Sequence, residues 1–260
     1  MPVYTDQIGT QIELKEIPKK IISLVPSQTE LLYDLGLGDT VIGITKFCIH
    51  PAEWFITKTR IGGTKNVNIK KVAALAPDLI IASKEENVKE QIEVLQTIAP
   101  VWTSDISNLE NALDMVEQIG RMTNQQIKAQ QINERITNGF KQIQVPAKRK
   151  TVCYLIWREP YMTVGGDCFI SHMLNRCGLQ NIFEQEKRYP ETTISQLQSL
   201  KPDYIFLSSE PYPFKEKHMA ELKQVLPQTK VLLVDGEMFS WYGSRLQKSP
   251  IYFNDLLSSL

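Results

Sequence analysis

One stretch of this chain is written twice. ALAPDLIIASKEEN, residues 74–87, returns as SLKPDYIFLSSEPYPF, residues 199–214. Aligned without a gap, Leu75 falls on Leu200, Pro77 on Pro202, Asp78 on Asp203, Ile80 on Ile205, Ser83 on Ser208 and Glu85 on Glu210, each 125 positions on. In both copies a proline closes a helical period, an aspartate follows, and a short apolar run empties into an acidic loop. Repeating such an element half a chain apart predicts two similar α/β lobes. The 260 residues suit two lobes of roughly 120, each near the usual size for one hydrophobic core.

The rest of the chain follows that plan. VYTDQIGTQIEL alternates around Gly9 and reads as a hairpin. The apolar run Ile21 to Val25 is of the doubly buried kind expected in a parallel strand. Ser27, with Glu30 three residues on, reads as an N-cap and capping box, and Gly36 and Gly38 stop the helix. Helix and strand periods then alternate to Ser104, and the same parts recur in the same order from Lys150. That alternation predicts parallel sheets covered by helices. Between the halves, after a helix opening at Ser107 and Glu110, Ile127, Ile132, Ile136, Phe140 and Ile143 continue a helical spacing to about Gln144. We read this as a connecting rod of about 30 Å, from 1.5 Å per residue. The expected organisation is an N-terminal lobe over 1–122, a linking backbone helix over 123–145 and a C-terminal lobe over 146–260.

In open α/β sheets ligands bind beyond the carboxyl ends of the strands. The segments leaving those ends carry Ser27, Lys46, Phe47, His50 and Lys84 in the first half, and Trp157, Arg158, Tyr161, Tyr212, Phe239, Trp241, Tyr242 and Arg245 in the second. Aromatic walls with a few polar groups suit a large planar or macrocyclic ligand, because ring faces give broad contact at small entropic cost. The competing reading is that these aromatics simply anchor loops to the cores. TVGGD, residues 163–167, precedes a helix and reads as a tight turn rather than an anion-binding loop. His50 lies far in sequence from His172 and His218, so no three-histidine metal site is expected. No nucleophile elbow is present. Glu85, Glu86 and Glu90 in one half and Glu210 in the other form two carboxylate patches that arginines of a partner could read.

Composition removes other classes. Lys plus Arg number 29 and Asp plus Glu 29, with no long run of either sign, so no nucleic-acid footprint or polybasic membrane patch is indicated. The four cysteines show no zinc-site spacing and read as buried thiols; spacing alone does not support a Cys168–Cys177 disulfide, which would need an oxidising compartment. No segment approaches the 18 or so apolar residues of a membrane span, and MPVYTDQIGTQIEL lacks the regions of a secretory signal.

Taken in order, IISLVPSQTELLYDLGLGDTVIGITKFCIHP, IGGTKNVNIKKVAALAPDLIIASKEEN and VGGDCFISHMLNRCGLQNIF resemble the helical-backbone substrate-binding proteins of ATP-driven importers, in their cobalamin and ferric-siderophore branch. The resemblance implies two Rossmann-like lobes with parallel sheets joined by one long backbone helix, and no enzymatic activity. It implies a corrinoid, ferric siderophore or haem held between the lobes, a macrocyclic or metal-chelate ligand that brings its own cobalt or iron, with no cofactor of the protein's own. The expected partner is the membrane permease of an ABC importer, docked through one glutamate per lobe: Glu85, Glu86 or Glu90 in the first and Glu210 in the second. A monomer in the periplasm or cell envelope is expected. The alternative is a cytoplasmic tetrapyrrole- or metal-handling enzyme or chaperone on a similar two-lobed frame.

Overall fold

The run Ile21 to Val25 is fully buried, as a strand flanked by parallel neighbours on both sides must be. In the computed structural model, which describes residues 2–260, the chain opens with the hairpin β1 (Val3–Thr5) and β2 (Gln11–Glu13). It continues through β3 (Ile21–Ser23), α1 (Pro26–Asp34), β4 (Val41–Ile44), α2 (Ala52–Thr57), β5 (Thr59–Arg60), α3 (Ile69–Leu75), β6 (Leu79–Ser83), α4 (Lys89–Gln96) and β7 (Val101–Ser104). These five later strands form one parallel sheet in the order β5-β4-β3-β6-β7. Its core gathers Ile22, Leu24, Ile61, Val72, Ile80 and Leu95.

Two longer helices follow, α5 (Leu109–Met122) and α6 (Gln126–Phe140). Asn124, at φ 57, breaks the chain between them. They pack closely at Gly120, where a Cβ would lie 2.4 Å from that of Ala129. The helical spacing read to Gln144 ends at Phe140, so α6 has 15 residues and spans about 22 Å rather than 30.

The second half contains β8 (Lys150–Leu155), β9 (Tyr161–Met162), α7 (Phe169–Arg176), β10 (Leu179–Asn181), β11 (Glu191–Thr192), α8 (Ile194–Leu200), β12 (Tyr204–Ser208), α9 (Glu216–Val225), β13 (Lys230–Val234) and α10 (Gly236–Ser240). A 3-10 turn at Ser244–Gln247 leads to α11 (Ser249–Ser258), with Pro250 in its first turn. Strands β10-β8-β12-β13 make a second parallel sheet, and β9 and β11 pair antiparallel. Cys153, Leu155, Leu197, Ile205, Leu207 and Leu222 form its core.

The chain divides into two compact units. The first comprises everything up to Ile106, Glu110–Thr137 and Tyr242–Gln247; the second comprises Ser107–Leu109, Asn138–Trp241 and Lys248–Leu260. The chain passes from the first to the second within α6, and near its end a six-residue segment belongs to the first unit again.

Helix α1 starts earlier than its sequence suggests. Val25 is the cap and Pro26 sits in the first turn, with no side-chain cap bond; the fixed φ of proline sets the start, as is common at that position. Ser27 is therefore not the N-cap but lies inside the helix, 2% exposed. Glu30 is used elsewhere. All four cysteines are buried thiols, and no disulfide forms among the described residues.

Candidate functional site

The repeated segment is the frame on which the candidate loops are hung. Asn68 caps α3 through the Lys71 amide, and Thr193, 125 residues on, caps α8 through the Gln196 amide. Ala76 and Lys201, again equivalent, end these helices in the left-handed conformation at φ 46. The aspartate after the proline then ties down the neighbouring strand. Asp78 accepts the amides of Lys19 and Lys20 just before β3 (2.9 and 3.0 Å), and Asp203 accepts the amide of Thr151 on β8 (2.8 Å). Asp203 also meets the Lys150 ammonium at 2.8 Å. That bond first, and the Thr151 amide next, hold its carboxyl down at about 2.

Beyond β6 and β12 the repeat continues into a shared turn. Ser83 Oγ accepts the Glu85 amide at 3.2 Å, and Ser208 Oγ accepts the Glu210 amide at 3.3 Å. In the first unit Tyr242 is 5% exposed and its hydroxyl reaches Ser83 Oγ (3.0 Å) and Glu86 Oε1 (3.3 Å). Burial first, and then the Glu86 charge, push its phenol well above the usual range. In the second unit the Trp241 indole and Ser240 hydroxyl donate to Glu210 Oε1 at 2.8 and 2.7 Å. Burial raises the Glu210 carboxyl despite these bonds. Glu85 and Glu86 are half-buried and Glu90, in the first turn of α4, is exposed.

Several residues read as ligand-facing are anchors instead. Phe239 is fully buried against Tyr154, Phe206 and Phe253. Trp241, 7% exposed, and Tyr242 hold the two acidic loops. Arg245 makes a bidentate pair with Glu30, Nε to Oε2 at 2.7 Å and an η-nitrogen to Oε1 at 3.0 Å, with both side chains close to fully buried. At Gly236, which opens α10, a Cβ would lie 2.4 Å from Ser208 Oγ, so the turn into α10 passes close over the end of β12. The amides of Gly165 and Gly166 are bonded to the carbonyls of Arg188 and Glu186 and offer nothing to an anion.

The groups that do face solvent lie on the loops after β4, β6, β8 and β12. After β4, Cys48 is fully buried with its thiol 3.1 Å from both Thr29 and Thr45 hydroxyls. Pinning that one residue turns Lys46, Phe47 and Ile49 outward and leaves His50 half-buried. Phe47 is 51% exposed, with the Lys46 ammonium 5.0 Å above its ring. Both lie over Gly63, where a Cβ would come within 3.2 Å of the Phe47 ring. Lys84 is exposed after β6 and pairs with Asp105.

In the second unit Trp157 is 41% exposed and is the one solvent-facing tryptophan, since Trp54, Trp102 and Trp241 are buried. Its ring meets Tyr212 edge-on at 5.7 Å. Arg158 bonds Glu221 on α9 at 2.7 Å, and Tyr161 is half-buried beside it. Behind Tyr212 stand Phe214, at 4.7 Å between ring centres, and His218. Sequence reasoning placed Trp157, Arg158, Tyr161 and Tyr212 on these loops but not Phe214, His218 or Glu221. Their only local signal is position, at the loop end and on the first turns of α9. Among the described residues no group of three or more His, Cys, Asp or Glu side chains is placed to hold a metal ion. A shallow groove lined by Thr10–Glu13 and Gln96–Val101 lies at the start of β7, the opposite edge of the sheet from these loops.

Both parallel sheets carry aromatic and cationic groups on the loops at their carboxyl edges, where open α/β sheets bind ligands. A family model described as periplasmic binding protein matches residues 21–230, and the chain belongs to that family. An ABC transporter substrate-binding lipoprotein of Bacillus subtilis, itself uncharacterised, is 32% identical over 216 residues, 78% of this chain and 68% of that protein. The vitamin B12-binding protein of Vibrio parahaemolyticus is 27% identical over 196 residues, 73% of this chain and 70% of that protein. The solved structure of the periplasmic vitamin B12-binding protein BtuF of Vibrio cholerae aligns with a TM-score of 0.77 at 22% identity, covering 94% of this chain and 98% of that one. The expected two-lobed α/β class agrees with that fold. Among the described residues no helix is long and apolar enough to cross a membrane.

Proposed function

We propose that this protein captures a corrinoid-type metal chelate at the cell envelope and delivers it to the permease of an ABC importer. The candidate ligand contacts in the first unit are Phe47, with Lys46 and His50, on the loop after β4; those in the second unit are Trp157, with Arg158, Tyr161 and Tyr212, on the loops after β8 and β12. The observation that carries the reading is an exposed aromatic at the carboxyl edge of each parallel sheet, Phe47 in the first unit and Trp157 in the second. The similarity to a vitamin B12-binding protein over 73% of the chain supports a ligand of this class. A chelate of this kind brings its metal within its own macrocycle, so ring faces and counter-charges are what the protein supplies.

Glu85, Glu86 and Glu90 are the first unit's candidates for docking to arginines of the permease, and Glu86 also receives the Tyr242 hydroxyl. In the second unit Glu210 takes that role only by yielding bonds to Trp241 and Ser240. The test is titration of the purified protein with cyanocobalamin, followed by tryptophan emission and melting temperature, with hemin and a ferric siderophore as comparators. Quenching and a rise in melting temperature with cyanocobalamin are expected; no response to any of the three ligands would sink the reading.

A further inference from the structure

The exposed wall of the second unit rests on one histidine that the ligand reading leaves unused. His218 is 3% exposed, at the third position of α9. Its Nδ1 accepts the amide of Lys215, the helix N-cap, at 3.0 Å. An imidazole whose Nδ1 accepts carries its proton on Nε2 when neutral, and Nε2 stands 3.5 Å from the Tyr212 hydroxyl. The ring lies 5.5 Å from that of Tyr212 and 5.6 Å from that of Phe214. Tyr212 in turn meets Trp157, and its amide donates to the Ile156 carbonyl at 3.2 Å. The order of support therefore runs from the α9 cap through His218 and Tyr212 to Trp157.

We infer that His218 is the positioning residue of the Trp157–Tyr212 wall, and that protonating its imidazole releases the wall and lowers ligand affinity in acid. The inference rests on the reading above that this wall contacts ligand. A proton on Nδ1 turns the acceptor of the Lys215 amide into a second donor facing it, which removes the cap bond and sets two donors against each other. The charged and titratable groups around the ring are mostly cationic. Helix α9 contributes Lys215, Lys217 and Glu221, the loop after β8 contributes Arg158 with Tyr161 beside it, and the loop after β12 contributes the Tyr212 hydroxyl. Burial first, then Arg158 and Lys217, hold the imidazole below its ordinary value, against the opposing pull of Glu221. With the folded value depressed, the stability this ring contributes is complete above the unfolded value of 6.5 and is lost as pH falls through the folded one.

The experiment measures ligand-free Trp157 emission, isolated by subtracting a Trp157→Phe variant, and cyanocobalamin affinity, both from about pH 8 to 5. Wild type is expected to shift its emission to the red in acid and to lose roughly fivefold or more in affinity. His218→Gln keeps an acceptor for the Lys215 amide at every pH, as Gln does at this position of a capping box, so both of its profiles are expected to be flat. His218→Ala lacks the acceptor and is expected to show the acid-like emission throughout. Emission that is flat in wild type, or profiles shared by wild type and His218→Gln, would overturn the inference. Emission that titrates in a protein binding no cyanocobalamin at neutral pH overturns the ligand reading instead, and leaves the hold of His218 on Trp157 standing.

Discussion

At Phe47 and Phe239 the same side chain does opposite work. Phe47 is half in solvent over Gly63, while Phe239 is sealed among four rings. Phe47→Ala is expected to cost little stability and to weaken cyanocobalamin binding by roughly tenfold, about 1.4 kcal/mol. Phe239→Ala leaves a core cavity and is expected to cost about 3–5 kcal/mol in denaturant unfolding. Equal losses of affinity and equal losses of stability in the two variants would contradict that division. Asp203 offers a prediction with a pH sign. Its carboxyl is held at about 2 against an ordinary 3.8, so the stability it lends is present above 3.8 and disappears as pH falls through about 2. The side chain is 36% exposed, and solvent screening reduces the expected cost of Asp203→Asn near neutral pH to roughly 1 kcal/mol. The gap in stability between Asp203→Asn and wild type should close in acid; a gap that stays constant down to about pH 2 would mean the carboxylate is not the source.

Among the elements, the repeat explains what could be read from the sequence and what could not. Helices α3 and α8, strands β6 and β12, and the turns after them follow from residues that match at a fixed spacing, and their caps and tethers match too. Pro77 and Pro202 mark the helix ends, but the left-handed caps themselves carry no signal, because they are Ala76 and Lys201 where glycine is usual. Replacing each by glycine is expected to stabilise the protein by roughly 0.5–1 kcal/mol, less the extra freedom glycine gives the unfolded chain. Together they should raise the melting temperature by a few degrees; a fall in both single variants would show that the Cβ atoms are needed for packing. Helix α2, the short strands β5, β9, β10 and β11, and α10 are too short to establish a period, and the sequence does not announce them. The candidate site was legible to the same depth. Strand ends located the loops, and the buried Cys48 explains why Phe47 points outward. Nothing local distinguishes Trp157, which is exposed, from Trp241, whose indole bonds a glutamate 31 residues away.

For the molecule as a whole, the decisive contact joins residues far apart in sequence. Arg245 and Glu30 are separated by 215 residues, yet both belong to the first unit. That unit is complete only when Tyr242–Gln247 have been added to it, after nearly all of the second unit has been made. A buried ion pair contributes little over an apolar pair of the same volume, but removing one partner strands a charge and costs about 3–5 kcal/mol. Arg245→Met is therefore expected to destabilise the first unit by roughly that amount, and Glu30→Met with Arg245→Met to recover most of it. Hydrogen exchange locates the effect. In Arg245→Met, amides of α1 and of the neighbouring strand β3 should exchange faster, while those of β8 and β12 in the second unit keep wild-type protection. If β8 and β12 lose protection to the same degree, the two units unfold as one and the segment does not serve the first unit alone. If instead stability is unchanged and cyanocobalamin affinity falls, Arg245 belongs to the ligand and not to Glu30.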